Sequence, residues 1–391
     1  MLIFVLNAGS SSLKYQLIDI KSKELKASGL VERIGIDGIL KHEIGENKKL
    51  TFELPIPTHK EAIELVLRIL TNNETKVINS IDEIKAIGHR VVHGGEYFKG
   101  SAIVDDEVIR KIEELIPLAP LHNPANILGV KICKDLMPKV PNVVTFDTAF
   151  HQTMPMENFL YAVPYADYTE HHLRKYGFHG TSHYYVSQEA IKLLNKKDSK
   201  VIVCHLGNGS SVCAVKDGKS ISTSMGLTPL EGLVMGTRSG DIDAGVIPYL
   251  MEKKGLNHIQ ILDYLNKKSG ILGVSGVSSD LREVIKAAND GDKRSKIAIT
   301  MLCDRIKKYL CSYAGLMHGV DAICFTAGIG ENSDLIREKV CEGLEFMGIE
   351  IDKDKNSKRE KGNREINTKN SKTKIFVIPT NEELVIATDT Y

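Results

Sequence analysis

The chain has 391 residues, of which 42% are hydrophobic and 26% are charged, a composition typical of a soluble globular protein with two or three domains. The formal net charge of +1 argues against nucleic acid or an anionic membrane as a partner. No stretch reaches the ~20 apolar residues of a membrane helix, and the short apolar start lacks the basic residues of a signal peptide. The seven cysteines form no CxxC pair, so we expect free thiols in a reducing, cytoplasmic compartment.

Two segments repeat one pattern, in which an apolar strand leads through a turn rich in glycine and serine to a second strand. In the first segment the strand at residues 2–6 leads through residues 7–12 to an alternating strand at 13–18. In the second, residues 201–206 lead through 207–211 to a strand at 212–215, and Asp217-Gly218 predicts a hairpin to residues 219–223. We interpret the repetition as a duplicated domain.

The segments between these repeats have mainly helical patterns. Apolar spacing predicts helices over residues 61–70, 105–116, 124–136, 182–194 and 296–318. A strand at 322–326 leads through another glycine-rich turn into a helix that Asn332 or Ser333 can cap, and a final helix begins at Glu382. Strands that alternate with helices predict an α/β fold, with a boundary near residues 147–151. Residues 352–374 are almost wholly polar, and we expect a solvated excursion without chemistry.

The glycine-rich turns at residues 7–12, 207–211 and 328–332 are candidates for phosphate binding. Small residues allow backbone N–H groups to approach an anion closely, and the third turn also has a helix start behind it. Lys14 follows the first turn, where its ammonium group could reach a phosphate oxygen. Gly218-Lys219-Ser220 is similar to the end of a Walker A motif, but Cys213 stands where that motif requires glycine, so we exclude a P-loop.

Two histidine patterns point to other chemistry but are incomplete. His179 and His183 have the spacing of a zinc-binding pair, but Gly180 stands where zincins have glutamate. His205 lies near Ser210, but the GxSxG pattern of a hydrolase is missing around that serine. We therefore expect neither zinc nor a serine nucleophile.

Charged residues stand beside several turns and strand ends. Arg90 ends a predicted strand, Asp147 follows another, and Arg238 lies in a loop flanked by glycines. Direct phosphoryl transfer requires positioning and fixed positive charge more than covalent help. A carboxylate acceptor, with a pKa of ~4, is ionised at neutral pH and needs no general base. The arginines, aspartate and histidines fit phosphoryl transfer to a carboxylate.

With these residues assembled, the chain resembles the acetate kinase family, within the larger group of acetate and sugar kinases, Hsp70 and actin. The matching stretches follow the family order over essentially the full length: residues 7–14, 88–95, 146–151, 177–183, 205–211, 235–241, 325–332 and 380–383. The resemblance implies an α/β fold with a duplicated actin-like ATPase core and an active-site cleft between two domains. It implies an N-terminal domain of residues 1–148, completed by the helix 384–391, and a nucleotide-binding domain of residues 149–383.

The resemblance also implies a role for each matching residue. The implied catalytic residues are Asp147, Arg90, Arg238 and His179. The acid would be bound by Arg90 and by a small apolar pocket formed by Val92, Leu121, Phe178 and Pro229. ATP or ADP would be bound by Lys14, His205, Leu206, Gly207, Asn208, Gly209, Asp280, Leu281, Arg282, Gly328, Ile329, Gly330, Glu331 and Asn332. Mg²⁺, or in its place Mn²⁺, would be bound by Asn7 and Glu382. The family further implies acetate or acetyl phosphate as the second substrate, and a homodimer.

Two alternatives to an acetate kinase remain. The first is a kinase for propionate or another short-chain acid, since one methylene in an apolar pocket is worth only ~1–3 kcal/mol. The second is an ATP-driven conformational module of the Hsp70 or actin type, which would not need an acceptor site such as Arg90, Arg238 and His179. The chain departs from the family at Ala244, where proline is commoner, and this affects loop stiffness only.

Overall fold

The computed structural model describes residues 1–45 and 48–391. These residues form two compact units, one of Met1–Phe150 with Asn381–Tyr391 and one of His151–Thr380. The division into functional domains at residues 148 and 383 stays a prediction. In the described part of the chain, no helix is both long and apolar enough to span a membrane.

The strands of the first unit are β1 Leu2–Ala8, β2 Leu13–Asp19, β3 Glu24–Glu32, β4 Ile39–Ile44, β5 Lys48–Glu53, β6 Ile84–Val91, β7 Ala102–Ile103 and β8 Asn142–Phe146. Those of the second unit are β9 Lys200–Leu206, β10 Ser210–Lys216, β11 Lys219–Thr223, β12 Ala322–Thr326, β13 Arg364–Glu365 and β14 Lys374–Val377.

The helices are α1 His59–Thr71, α2 Asp106–Glu114, α3 Asn123–Leu136, α4 Met156–Phe159, α5 Tyr165–His171, α6 Gly180–Leu194, α7 Val246–Lys254, α8 His258–Lys267, α9 Gly270–Ser275, α10 Leu281–Asn289, α11 Lys293–Met317, α12 Ala327–Asn332, α13 Asp334–Cys341, α14 Lys353–Ser357 and α15 Glu382–Thr390. Short 3₁₀ segments occur at Ile81–Glu83, Ile116–Leu118, Ala149–Thr153 and Glu345–Met347. The five helices predicted from apolar spacing are confirmed as α1, α2, α3, α6 and α11.

Each unit contains one mixed sheet, and the two sheets share a six-strand arrangement. The first sheet has the order β5-β4-β3-β2-β1-β6-β8-β7, and the second has the order β11-β10-β9-β12-β14-β13. In both, an antiparallel meander (β3-β2-β1 or β11-β10-β9) continues into two parallel strands and ends at an antiparallel edge strand. The prediction of an α/β fold that uses one arrangement twice is confirmed.

The C-terminal helix α15 packs on one face of the first sheet. Side chains alternate along β1, so that Phe4 and Leu6 join a core with α1 and α3, while Ile3 and Val5 join a core with α15. A Cβ atom at Gly88 in β6 would lie 2.6 Å from Ile386 Cγ2, which is too close. Glycine at position 88 therefore allows α15 to pack against β6. This packing brings the first residues of α15 near the end of β6 that carries Arg90.

The expectation of a solvated excursion at residues 352–374 is wrong. The segment forms α14 and β13, and Asn356 and Asn367 are only 1% and 2% exposed. Asn367 Oδ1 accepts a hydrogen bond from the Ile375 N–H at 2.9 Å, and Asn356 Oδ1 accepts one from Arg337 Nε at 2.7 Å. These amides replace water as partners of buried polar groups, which is why a polar sequence can be structured here. β13 takes the place in the second sheet that β7 takes in the first.

All seven cysteines are free thiols, and they are unequally divided between the units. Cys133 lies in the first unit and the other six lie in the second. Only Cys311 is not fully buried. The prediction of unpaired thiols is confirmed.

Candidate active site

The predicted metal and phosphate residues of the first unit line one cavity of about 210 Å³. Asn7 on β1 pairs in register with Lys14 on β2, Arg90 lies near the end of β6, and Glu382 and Glu383 open α15. The apolar side chains of β1 and α15 form the rest of the lining. Lys14 Nζ forms an ion pair with the Glu383 carboxylate.

Arg90 and Asp147 form a bidentate ion pair within the first unit. Arg90 Nε donates to Asp147 Oδ1 at 2.9 Å, and Nη2 donates to Oδ2 at 2.6 Å. The two residues meet because β6 and β8 are parallel neighbours. The Asp147 side chain is 2% exposed and that of Arg90 is 25% exposed. Burial alone would lower the pKa of Arg90, but the attraction of Asp147 outweighs it and raises that pKa. Asp147 therefore holds the guanidinium in one orientation.

Glu382 is a carboxylate that would be stabilised by a cation. Burial raises its pKa to about 7; Arg90 opposes this rise, and the neighbouring carboxylates of Asp147 and Glu383 add to it. The oxygen donors of Asn7 and Glu382 are of the kind that Mg²⁺ prefers. Among the described residues, no group of three or more histidines, cysteines or acidic residues could hold a metal ion alone. The donors therefore fit a Mg²⁺ ion that takes most of its ligands from phosphate and water.

The second unit has a cavity of about 900 Å³ that is lined by eight of the predicted nucleotide residues. These eight are Gly207, Asn208, Asp280, Leu281, Arg282, Gly328, Ile329 and Asn332. The other predicted nucleotide residues of this unit lie outside the lining: His205, Leu206, Gly209, Gly330 and Glu331. Lys14 belongs to the cavity of the first unit.

Glu331 has a structural contact instead of a place in the cavity wall. Its Oε1 accepts hydrogen bonds from the backbone N–H groups of Ala327 at 2.8 Å and Thr380 at 3.3 Å. Ala327 has φ of +64°, a left-handed conformation that is strained for alanine. The Glu331 carboxylate thus stabilises the turn between β12 and α12. The glycine-rich turn predicted at residues 328–332 forms the short helix α12 instead, whereas the predicted cap at Ser333 is confirmed at the start of α13.

Asp280 and Arg282 form an exposed pair at the start of α10. Asp280 caps the helix by accepting from the Arg282 backbone N–H at 2.9 Å, and the two side chains form an ion pair. Hydrogen bonds from Arg282 lower the pKa of Asp280 to about 2. The Arg282 side chain is 90% exposed, so this pair contributes little to stability, and its guanidinium stays available to a ligand.

Sequence reasoning missed several residues of the larger cavity, which are Ser279, Ile285, Ser333, Asp334, Leu335 and Arg359. Arg359 belongs to the segment 352–374 that we expected to lack chemistry. It stands in the charged run Lys358-Arg359-Glu360-Lys361, where nothing distinguishes it from its neighbours. Ser333 was noticed only as a helix cap.

His179 and Arg238 converge on the turn between β9 and β10. A Cβ atom placed on Gly209 would lie 3.5 Å from Arg238 Nη1 and 3.7 Å from His179 Nε2. Arg238 Nη1 contacts the Pro229 carbonyl oxygen at 3.4 Å and Met235 Sδ at 3.9 Å. In the described part of the chain Arg238 forms no ion pair, and burial lowers the pKa of its guanidinium. Arg238 is thus a half-buried, partly desolvated cation beside the glycine-rich turn at residues 207–211.

The four residues predicted to contact the methyl group of the acid differ in exposure. Val92 and Phe178 are buried, Pro229 is half-buried and Leu121 is 67% exposed. Val92 and Leu121 belong to the first unit, and the other two belong to the second. That the four side chains line one pocket stays a prediction.

Comparison with known proteins decides the family. A model of the acetokinase family matches residues 2–388. The chain belongs to the acetokinase family. Among other members, the acetate kinase of Treponema denticola is 56% identical, over 100% of this chain and 99% of its own length.

Two solved structures share the fold over nearly their whole length. The acetate kinase of Porphyromonas gingivalis has 48% identity and a TM-score of 0.95, with coverage of 100% of this chain and 98% of the other. A propionate kinase from Francisella tularensis has 45% identity and a TM-score of 0.93, with the same coverage. The resemblance of the sequence to the acetokinase family, and the fold that it implied, are confirmed.

Proposed function

We propose that this acetokinase-family protein transfers the γ-phosphoryl group of ATP to acetate, reversibly forming acetyl phosphate and ADP. The observation that carries the proposal is the convergence of Arg238 and His179 on the turn at Gly209. A half-buried guanidinium that forms no ion pair in the described part of the chain has an electrostatic preference for an anion. The transferring phosphoryl group supplies that anion, and family membership supports the same reaction.

In the proposed reaction, a carboxylate oxygen of acetate attacks the γ-phosphorus while the bond to the β–γ bridging oxygen breaks. The bonding electron pair leaves with ADP, and no proton has to move because acetate is already ionised. Arg90, held by Asp147, would bind the acetate carboxylate. Arg238 and His179 would stabilise the negative charge on the transferring group.

The nucleotide would lie in the larger cavity of the second unit, with its phosphates toward Gly207 and Asn208 and its nucleoside toward the start of α10. Lys14 would support the phosphates. Asn7 and Glu382 would hold Mg²⁺, or Mn²⁺ in its place, which when bound neutralises charge on the phosphate oxygens. The exposed pair of Asp280 and Arg282 would contact the nucleoside.

Propionate is the second candidate acceptor, and one observation favours it. The solved relative with 45% identity and a TM-score of 0.93 is a propionate kinase. One methylene changes transition-state binding in an apolar pocket by only ~1–3 kcal/mol. Relative kcat/KM values for acetate, propionate and butyrate decide between them, and a clear preference for propionate would overturn acetate but leave the mechanism intact.

The reaction can be tested by trapping acyl phosphate with hydroxylamine. Purified protein, Mg²⁺-ATP and acetate should give acetyl hydroxamate, with none formed when acetate is omitted. Arg238→Ala is the matched control, because the substitution removes the proposed clamp without breaking an ion pair. If ATP is hydrolysed without acid and hydroxamate is absent, the protein is instead an ATPase module of the Hsp70 or actin class.

We also propose a homodimer in a cytoplasmic, reducing compartment. The seven free thiols support such a compartment. The homodimer is supported by the family resemblance alone. Light scattering on the purified protein should give twice the monomer mass, and a monomer mass at micromolar concentration would contradict the dimer.

A further inference from the structure

One serine hydroxyl joins two histidines in the second unit. Ser211 on β10 places its Oγ 2.9 Å from His179 Nδ1 and 2.7 Å from His183 Nε2. Ser211 and His183 are both fully buried, and the two histidines lie one helical turn apart at the start of α6. His183 does not line the larger cavity, and the proposed reaction gives it no role.

The direction of these hydrogen bonds follows from the number of protons available. A hydroxyl has one proton, so Ser211 can donate to one imidazole only and must accept from the other. His183 Nδ1 is buried and has no hydrogen-bond partner among the described residues. A buried nitrogen without a partner is less costly as a lone pair than as an N–H, since orphaned buried donors are rarer than orphaned acceptors. Neutral His183 therefore carries its proton on Nε2 and donates it to Ser211.

His183 is neutral because its surroundings oppose a positive charge. Burial, together with His151 and His205 nearby, holds its pKa well below the ordinary value. The rings of His151 and His205 lie 5.6 and 6.1 Å from that of His183. His183 Nε2–H therefore donates to Ser211 Oγ, and the Ser211 hydroxyl donates to His179 Nδ1.

His179 is held for this contact by both its backbone and its ring. Its φ of +57° is left-handed, a conformation that is costly for a residue with a side chain and that fixes the start of α6. Its ring stacks on His205 with a centroid separation of 4.1 Å, and His205 is itself bonded to Ser182 at 2.8 Å. With Nδ1 occupied as an acceptor, the remaining proton of neutral His179 must lie on Nε2, the nitrogen that faces the turn at Gly209.

We propose that His183 and Ser211 are positioning residues that fix His179 as the Nε2–H tautomer, so that it presents a donor to the transferring phosphoryl group. The identity of that acceptor rests on the proposed function, whereas the tautomer does not. Without Ser211, a neutral His179 could place its proton on Nδ1 and turn a lone pair toward the phosphoryl oxygens. Such a lone pair would repel the charge that develops during transfer.

The first test is kinetic and uses the full-length enzyme. Ser211→Ala should lower kcat about tenfold, the size expected when one hydrogen bond to a charged group is weakened, with little change in KM. Ser211→Thr, which keeps the hydroxyl and suits a strand, should restore most of kcat. In the background of His179→Ala, Ser211→Ala should have no further effect, because the serine acts through that imidazole. An equal loss of kcat with and without His179 would overturn the proposal.

The second test reads the tautomer directly and needs no catalytic activity. Long-range proton–nitrogen correlation spectra of histidine-labelled protein should show both His179 and His183 as Nε2–H tautomers. His179→Gln and His183→Gln assign the signals, and thermal unfolding checks that each variant is folded. A signal for His179 with its proton on Nδ1 would overturn the proposed hydrogen-bond chain from His183 through Ser211 to His179. If the tautomers are as expected but no acid is phosphorylated, the proposed function fails and the proposed hydrogen-bond chain stands.

Discussion

Arg90 and Arg238 are the two arginines assigned to the reacting groups, and their surroundings are opposite. Arg90 in the first unit is locked to Asp147 by two hydrogen bonds, and the ion pair raises its pKa. The guanidinium of Arg238 in the second unit contacts a carbonyl oxygen and a thioether, and burial lowers its pKa. The first guanidinium is neutralised before any substrate arrives, whereas the second is a partly desolvated cation without a carboxylate partner among the described residues.

The difference separates two functions of an arginine, which are to orient a bound carboxylate and to attract an anion. A paired arginine keeps a fixed geometry, so it can align a carboxylate, but much of its charge is already balanced. Arg238 is half-buried and forms no ion pair with the described residues, so it is partly desolvated in the free protein and gains electrostatic stabilisation when an anion binds. The same residue type thus serves two purposes, and substitution should separate them by their effects on stability and on activity.

The largest effect is expected for Arg238→Ala. We expect kcat/KM to fall about 10³-fold, the lower end of the range for an arginine that stabilises a transferring phosphoryl group. The free energy of unfolding should be nearly unchanged, because Arg238 is half-buried and forms no ion pair in the described part of the chain. Arg238→Lys is the matched control, which keeps the charge but loses the planar fork and should recover little activity. A marked loss of stability in Arg238→Ala would contradict the assignment.

Arg90→Ala should lower stability as well as activity. Without its partner, the Asp147 carboxylate is left buried and unpaired, which we expect to lower the free energy of unfolding by about 3 kcal/mol. Denaturant unfolding at pH 7.5 measures this loss. Adding Asp147→Asn to the variant removes the orphaned charge, so the double variant should regain most of its stability while staying inactive. A double variant as unstable as Arg90→Ala would show that the ion pair is not the cause.

His89, the neighbour of Arg90 on β6, extends the comparison to a group that is buried without charge. Burial lowers the pKa of His89 to about 4, against an ordinary value near 6.5. Its Nε2 donates a hydrogen bond to Asn142 Oδ1 at 2.7 Å. Between these two pKa values the unfolded chain takes up a proton that the folded protein does not, so stability falls as the pH falls.

From pH 7.5 to 5.0, His89 alone should lower the free energy of unfolding by about 2 kcal/mol. Urea unfolding of the wild type and of His89→Gln at both pH values measures the contribution of His89 to this loss of stability. Glutamine can still donate to Asn142 but does not titrate. If both proteins lose the same stability on acidification, His89 is not responsible.

The smallest effect is expected for Arg359→Ala. An exposed arginine at the edge of the nucleotide cavity should be worth less than 1 kcal/mol, so KM for ATP should rise about threefold with kcat unchanged. Because the contact is screened by salt, the difference from the wild type should shrink at high ionic strength. Lys361→Ala, in the same charged run but outside the cavity lining, should leave KM unchanged. A similar rise in KM for both variants would point to net charge instead of a contact.

Much of the fold could be predicted because its signals are local. Apolar spacing identified α1, α3 and α11, and glycine-rich turns after buried strands identified the repeated hairpins. The segment 352–374 could not be predicted, because Asn356 is buried by its contact with Arg337, and Asn367 by its contact with Ile375. These partners lie 8 and 19 residues away in sequence, and the polar composition of the segment does not indicate them. The two-residue strand β13 also has no sequence pattern, and its likeness to β7 emerges only from the order of strands.

Motifs predicted which residues form the candidate site, and that assignment stays a prediction; they did not predict how these residues pair. Arg90 and Asp147 are 57 residues apart in sequence, and nothing in either motif indicates a bidentate ion pair. The spacing of His179 and His183 suggested a metal pair and was rejected for lack of glutamate. The structure gives that spacing another explanation, since Ser211 places its hydroxyl between the two imidazoles.

The burial of the cysteines makes the thiols reporters of local opening. Burial raises the pKa of Cys133 to about 12 and that of Cys204 well above its ordinary value, so neither thiol is nucleophilic in the closed protein. An alkylating reagent can modify them only when the surrounding structure opens. Because Cys133 lies in the first unit and Cys204 in the second, mass spectrometry of the labelled peptides would give an opening rate for each unit in a single experiment.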